Sequence, residues 1–214
     1  MKTASSFESL TGTVDLPFPE YDDPPPAPAG LLHDWLAAAV EQGVREPKAL
    51  ALATADRRGR PSTRIVAINR VTEEGGLVFA THEGSRKARE LAETGWASGL
   101  LYWRESARQI SVSGPVRRLG DAECDALWFS RARPMHSMSA AARQSEPLED
   151  VDALRAEALR LDAVDGPLPR PERYIGFVVE LDGVEFWSAA SDRLHRRLRY
   201  DRDGDGWRIT RLQP

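Results

Sequence analysis

The chain has 214 residues, of which 41% are hydrophobic and 29% charged, and 29 basic side chains against 33 acidic ones leave a formal net charge of −4. That length supports one substantial core, and the negative balance argues against general nucleic-acid binding. No apolar run is long enough to cross a bilayer, and a single cysteine, Cys124, excludes an internal disulfide and a cysteine-rich metal site.

Met1 to Leu10 lack the apolar stretch of a secretory signal, so the cytoplasm is the expected compartment. Residues 1–29 hold Pro17, Pro19, Pro24, Pro25, Pro26 and Pro28 among few aliphatics and read as an extended, partly disordered arm before a single domain over 30–214. Leu31, Leu32, Trp35, Leu36, Ala39 and Val40 fall at helical spacing, giving an amphipathic helix over Asp34 to Val44 that Pro47 stops. Strands are predicted over Ala49–Ala55, Thr63–Arg70, Gly76–Thr81, Ser98–Trp103 and Arg108–Leu119, with turns at Asp56–Gly59 and Glu73–Gly76. Helical patterns follow at Gly120–Ser130, Met138–Arg143 and Glu149–Leu161, the first carrying Cys124 as a small buried thiol. Strands return at Tyr174–Leu181, Val184–Ala189, Leu194–Tyr200 and Trp207–Leu212. Asp203-Gly204-Asp205-Gly206 starts like a calcium loop but lacks the later ligands, so it is read as a hairpin turn. About nine short strands interrupted by helices predict a β-dominated α+β fold, a closed or split, mostly antiparallel barrel with peripheral helices.

Two stretches carry chemistry. In Arg64-Ile65-Val66-Ala67-Ile68-Asn69, strand alternation sends Arg64, Val66 and Ile68 to one side, so Arg64 can reach a ligand while apolar neighbours anchor it. After Ala80-Thr81, Gly84 permits a tight turn and Ser85 caps a helix through about Glu93. The Ser85, Arg86 and Lys87 amides then form a phosphate seat at a positive helix terminus, although the tripeptide also suits an ordinary capped surface helix. The second stretch, Trp187 and then Arg193, His195, Arg196 and Arg197, places arginines after an indole. That suits a flat phosphorylated or carboxylated heteroaromatic, or a solvated sheet face beside a core aromatic. The four histidines, His33, His82, His136 and His195, form no closely spaced ligand pair, so no metal is expected.

Taken together, Arg64 to Asn69, Ala80-Thr81, Ser85-Arg86-Lys87, Gln109, Gln144-Ser145, Trp187 and Arg193 to Arg197 resemble the pyridoxamine-phosphate oxidase superfamily over roughly residues 45–214. The resemblance implies an FMN-binding split-barrel homodimer with the cofactor at its interface. It places Arg64, Ile65, Val66, Ala80, Thr81, Ser85, Arg86 and Lys87 on FMN from one chain, and Gln109, Gln144, Ser145, Trp187 and Arg197 from the partner. Arg131, Arg193 and His195 match the substrate side. Asn69, Leu127 and Met135 stand where the vitamin-synthesising branch has a lysine, a tyrosine and a serine, which removes its grip on a substrate phosphate. Trp103 and Trp128 read as core or pocket walls.

The runs Gly95–Trp103, Arg133–Met138 and Ser191–Tyr200 resemble the flavin oxidase branch of phenazine biosynthesis. That resemblance implies oxidation of dihydrophenazine carboxylic acids, a small aromatic carboxylate substrate, with electrons passed to dioxygen and hydrogen peroxide released. No catalytic residue is assigned, although His195 is placed to move a proton. The alternatives are a pyridoxine or pyridoxamine 5'-phosphate oxidase and, in another class, a flavin-binding sensor or carrier without turnover.

Overall fold

The computed structural model describes residues 15–214, so the start of the Pro-rich arm lies outside the described residues. Strand β1 (Ala49–Ala55) buries Leu50, Leu52 and Thr54 at period two. It turns into β2 (Pro61–Ala67) through a loop in which Asp56 Oδ1 accepts from the N–H groups of Arg58 and Arg60 at 2.9 Å and Gly59 takes a φ of 74°.

The sequence reading continues this strand to Arg70, but the chain changes sheet. Ile68 is buried and donates to Lys48 O, after which Asn69 N–H already donates to Val78 O at 2.8 Å, and Arg70–Val71 (β3) pairs with β4 (Leu77–His82). One expected strand is therefore two.

The remaining strands are β5 (Trp96–Trp103), β6 (Arg108–Arg118), β7 (Tyr174–Val179), β8 (Gly183–Ser188), β9 (Arg196–Asp203) and β10 (Gly206–Leu212). The long path runs β10-β9-β8-β6-β5-β1-β2, and every pairing among the described residues is antiparallel. Strand β6 is shared: Arg108–Ser113 pairs with β8, and Val116–Arg118 pairs with β7, which in turn pairs with β4. At the changeover a Cβ on Gly114 would lie 1.8 Å from Glu180 O, so only glycine allows the close approach. Followed round from β2 through β1, β5, β6 and β7 to β4, the sheet curls into a half-barrel whose unpaired seam lies between β2 and β4. This is the split, mostly antiparallel barrel that the strand pattern predicts.

Leu50, Leu52, Leu101, Ile110, Phe186 and Leu198 are fully buried in its core. Helix α1 (Pro28–Glu41) covers one side, with Trp35 edge-on to Phe186 at 5.3 Å between centroids. It starts at Pro28 rather than Asp34, because proline is tolerated in a first turn and Leu31 and Leu32 are both buried. The described part of the arm lies on the domain. Phe18 is buried 4.9 Å from the Trp35 ring, Arg108 lies over the same indole at 4.2 Å, and Tyr200 donates to Pro25 O at 3.1 Å.

Helices α2 (Arg86–Thr94), α3 (Asp121–Phe129), α4 (His136–Ala141) and α5 (Val151–Asp162) are peripheral. Trp103 and Trp128 are core residues, each satisfying its indole N–H on a backbone carbonyl, and Cys124 is buried beside Gly176. Among the described residues no helix is long and apolar enough to cross a membrane, and no group of side chains is arranged to hold a metal ion.

Candidate functional site

The seam between β2 and β4 opens into a cleft of about 600 Å³. Its floor is built by strand geometry: Arg64, Ile65 and Val66 come from β2, Asn69 from the crossover, and Ala80 and Thr81 from β4. Arg86 and Lys87 enter from the first turn of α2, Arg131 and Met135 from beyond α3, and Gln144 and Ser145 from the segment after α4.

One part of the cleft is an anion seat. Ser85 caps α2 by accepting from Ala88 N–H, and its hydroxyl also meets Thr81 Oγ1 at 3.1 Å. The helix therefore presents its N-terminal dipole where the cations gather. Burial, reinforced by the charge of Arg64, pushes Lys87 down to about 8, as befits an ammonium group in need of an anion. Lys87 Nζ donates to Thr81 Oγ1 and Gln144 Oε1, each at 2.9 Å. The carboxylate beneath them is Glu90, 5% exposed, which accepts from Ser62 Oγ at 2.6 Å, from Arg64 at 3.3 Å, from Arg86 Nε at 2.8 Å and from Thr54. Burial alone would raise its pKa, but the hydrogen bonds from Ser62, Thr54 and Arg86, with the Arg86 charge, outweigh burial and hold it at about 2. With one carboxylate facing three cations and a helix terminus, the donor set fits a phosphate monoester.

Arg131 is held differently. Its guanidinium lies 5.6 Å from the Trp128 ring and 5.3 Å from the Tyr174 ring, on an aromatic shelf beside the exposed Met135. Burial raises the Tyr174 hydroxyl, with Arg131 opposing the shift.

A second group lies on β6, β8 and β9 and lines no part of that cleft. Gln109 is the cross-strand partner of Trp187, and Trp187 that of Arg197. Arg197 Nε donates to Glu185 Oε1 at 2.7 Å, which raises the Arg197 pKa and fixes the guanidinium. The His195 ring sits 4.9 Å from Trp187, and its Nδ1 accepts from Ala190 N–H at 3.2 Å, leaving Nε2 to carry the proton. Arg193 is exposed in the turn between β8 and β9 with φ 67°. One chain thus presents two partial sites.

Two sequence expectations are corrected. The resemblance places Gln144 and Ser145 on the partner's side, yet they close the cleft of their own chain. Gln144 meets Thr81 and Lys87, and Ser145 Oγ accepts from Arg86 N–H at 3.2 Å. Arg173 draws the segment back through Ala140 O and Ala142 O. Leu127, assigned to the substrate side, is 6% exposed and packs in the core, its Cδ1 only 2.9 Å from where a Cβ on Gly176 would lie. Sequence reasoning passed over His82 and Tyr174, which line the cleft, and Glu90 beneath it. For Glu90 a signal existed in its position four residues after Arg86; for the other two there was none.

A family model described as pyridoxamine 5'-phosphate oxidase matches residues 36–165, and one described as the pyridoxine 5'-phosphate oxidase C-terminal dimerisation region matches residues 174–214. The chain is 58% identical over 210 residues to a dihydrophenazinedicarboxylate synthase of Burkholderia lata, covering 98% of this chain and 99% of that one. It is 39% identical over 189 residues to a pyridoxine/pyridoxamine 5'-phosphate oxidase of Gluconobacter oxydans, covering 87% and 94%. Its fold matches the crystal structure of PhzG from Burkholderia lata 383 in complex with tetrahydrophenazine-1-carboxylic acid, with a TM-score of 0.92 and 57% identity over 95% of this chain and 100% of that one.

Proposed function

The chain belongs to the pyridoxamine 5'-phosphate oxidase family, and we propose that within it this protein oxidises reduced phenazine carboxylic acids in phenazine biosynthesis. It is a flavin-binding oxidoreductase that dimerises through its C-terminal strands, and the proposed flavin is FMN, bound at the interface of a cytoplasmic homodimer. Arg64, Arg86, Lys87 and the N terminus of α2 would hold the phosphate, with Thr81, Gln144 and Ser145 closing over it. Gln109, Trp187 and Arg197 of the second partial site would serve the ring side from the partner, a reading supported by their lying outside the cleft of their own chain.

When bound, FMN supplies a two-electron acceptor that dioxygen reoxidises, with release of hydrogen peroxide. The protein's own residues mainly position. Arg131, on its Trp128–Tyr174 shelf, would orient the substrate carboxylate from one chain, and Arg193, with its neighbour His195, from the second partial site of the other. His195, with the proton on Nε2, donates to the same group. Ile65 and Met135, 65% and 54% exposed on the cleft wall, are covered by a flat ring and exclude water from it. Gain of aromatic character drives the reaction, so no strong base is needed.

The observation that carries this reading is the division of charge in the cleft. Three cations gather at α2 around one phosphate seat, while Arg131 shares the cleft with Asn69 and Met135 in place of the lysine and serine that the resemblance gives the vitamin-synthesising branch. Aerobic incubation with a reduced phenazine carboxylate should release hydrogen peroxide, which a flavin carrier without turnover would not do.

A further inference from the structure

His82 is the last residue of β4, is 7% exposed and has no part in the scheme above. Its ring bridges two elements. Nδ1 accepts from Gln144 N–H at 3.3 Å, and the ring lines the cleft together with Ser139 of α4, whose backbone favours its charged form. The segment so held carries Gln144 Oε1 onto Thr81 Oγ1 at 2.8 Å and Lys87 Nζ at 2.9 Å, and Ser145 Oγ onto Arg86 N–H at 3.2 Å. Ser145 does this with φ 73°, a backbone conformation that a non-glycine residue keeps only where its surroundings fix it.

We infer that His82 is a positioning residue for the phosphate seat, pinning the Gln144–Ser145 segment across the N terminus of α2. The inference rests on the reading of that seat as the site of the flavin phosphate. Pinning needs an unprotonated Nδ1, because a protonated ring would turn a donor toward the Gln144 N–H. The surroundings keep the ring neutral. Burial lowers its pKa first, the charges of Arg173, Lys87 and Arg131 lower it further, and only the Ser139 carbonyl opposes them. On the outer side Glu146 pairs with Arg143 at 3.9 Å and Glu83 with Arg118, and Tyr174 lies edge-on at 6.5 Å. Acidification through the lowered value therefore charges the ring and releases the segment.

The test is the rate at which flavin leaves the full-length holoprotein, followed as the rise of free-FMN fluorescence on dilution. His82→Asn keeps an acceptor and a donor on a side chain of similar reach, whereas His82→Leu keeps neither. Release should be roughly tenfold faster for His82→Leu and within about threefold of wild type for His82→Asn, a tenfold change being about the loss of one buried hydrogen bond. As pH falls below the ordinary imidazole value of 6.5 and through the lowered one, the wild type should lose FMN progressively faster than the Asn variant. The phosphate itself titrates near pH 6, so the difference between the two proteins is the readout. Amide exchange at Gln144 and Ser145 should rise in the Leu variant. If that variant does not fold, the wild-type and Asn pH profiles decide alone. Equal release at every pH overturns the inference and leaves the cofactor reading intact, whereas a wild type that never retains FMN overturns the cofactor reading and the inference with it.

Discussion

Lys87 Nζ donates to Gln144 Oε1 at 2.9 Å, so the first turn of α2 and the segment after α4 close on one point. That contact sets a pH dependence. Burial and Arg64 hold Lys87 at about 8 in the flavin-free chain, against an ordinary 10.5. Between those values the unfolded chain keeps a proton that the folded chain has lost, so folding stability rises with pH across that window. Affinity for the flavin phosphate runs the other way, because binding needs the ammonium form. FMN titrations should show affinity falling as pH rises past about 8, and Lys87→Met should remove that slope and weaken binding by roughly 10- to 100-fold.

Glu90 is expected to matter for stability as well as for binding. Its pKa is depressed to about 2 from an ordinary 4.5, so its contribution is fully present above the ordinary value and is lost as pH falls toward the folded one. Glu90→Gln should cost about 1–3 kcal/mol at neutral pH and flatten the acid limb of the denaturation profile. Urea midpoints measured from neutral pH down into the acid limb check both.

Arg193 and Arg197 lie on one ribbon but should fail differently. Arg197 is fixed by Glu185 at 2.7 Å and faces Trp187 across the sheet, whereas Arg193 is exposed in a turn. Arg197→Ala should lower FMN content. Arg193→Ala should keep the flavin and lower kcat/KM for the carboxylate by tens-fold, about 2 kcal/mol for one charge-assisted contact. Equal flavin loss in both variants would contradict this division.

Conversion toward pyridoxine phosphate should go through Asn69 and Met135, which line the cleft. Asn69→Lys with Met135→Ser should raise turnover of pyridoxine phosphate relative to the parent. Leu127→Tyr should instead overpack the space beside Gly176 and destabilise the fold by about 1–3 kcal/mol, read as a lowered Tm.

Much of this was legible locally. Ser85 announced the cap of α2, Asp56 and Gly59 the first hairpin, and the alternation in Ala49–Ala55 its buried face. Features set by distant chain were not. Nothing in Thr63–Arg70 shows that pairing with β1 ends at Ala67, because the alternation runs on while Asn69 finds Val78 in the other sheet. The return of Gln144 and Ser145 depends on Arg173, and the burial of Leu127 on Gly176, neither of which is adjacent in sequence. Residue types were readable as chemistry, but which chain would supply them was not.

The central claim is the substrate, and anaerobic stopped-flow mixing of the FMN-loaded protein with a reduced phenazine carboxylate and, separately, with pyridoxine phosphate tests it most directly. Asn69 and Met135, in place of the lysine and serine of the vitamin-synthesising branch, predict rapid bleaching of the flavin absorbance by the phenazine carboxylate and bleaching slower by tens-fold or more with the phosphate ester, at about 1–3 kcal/mol for each missing charge-assisted hydrogen bond. Rapid bleaching by pyridoxine phosphate, with none by the phenazine carboxylate, would contradict the account.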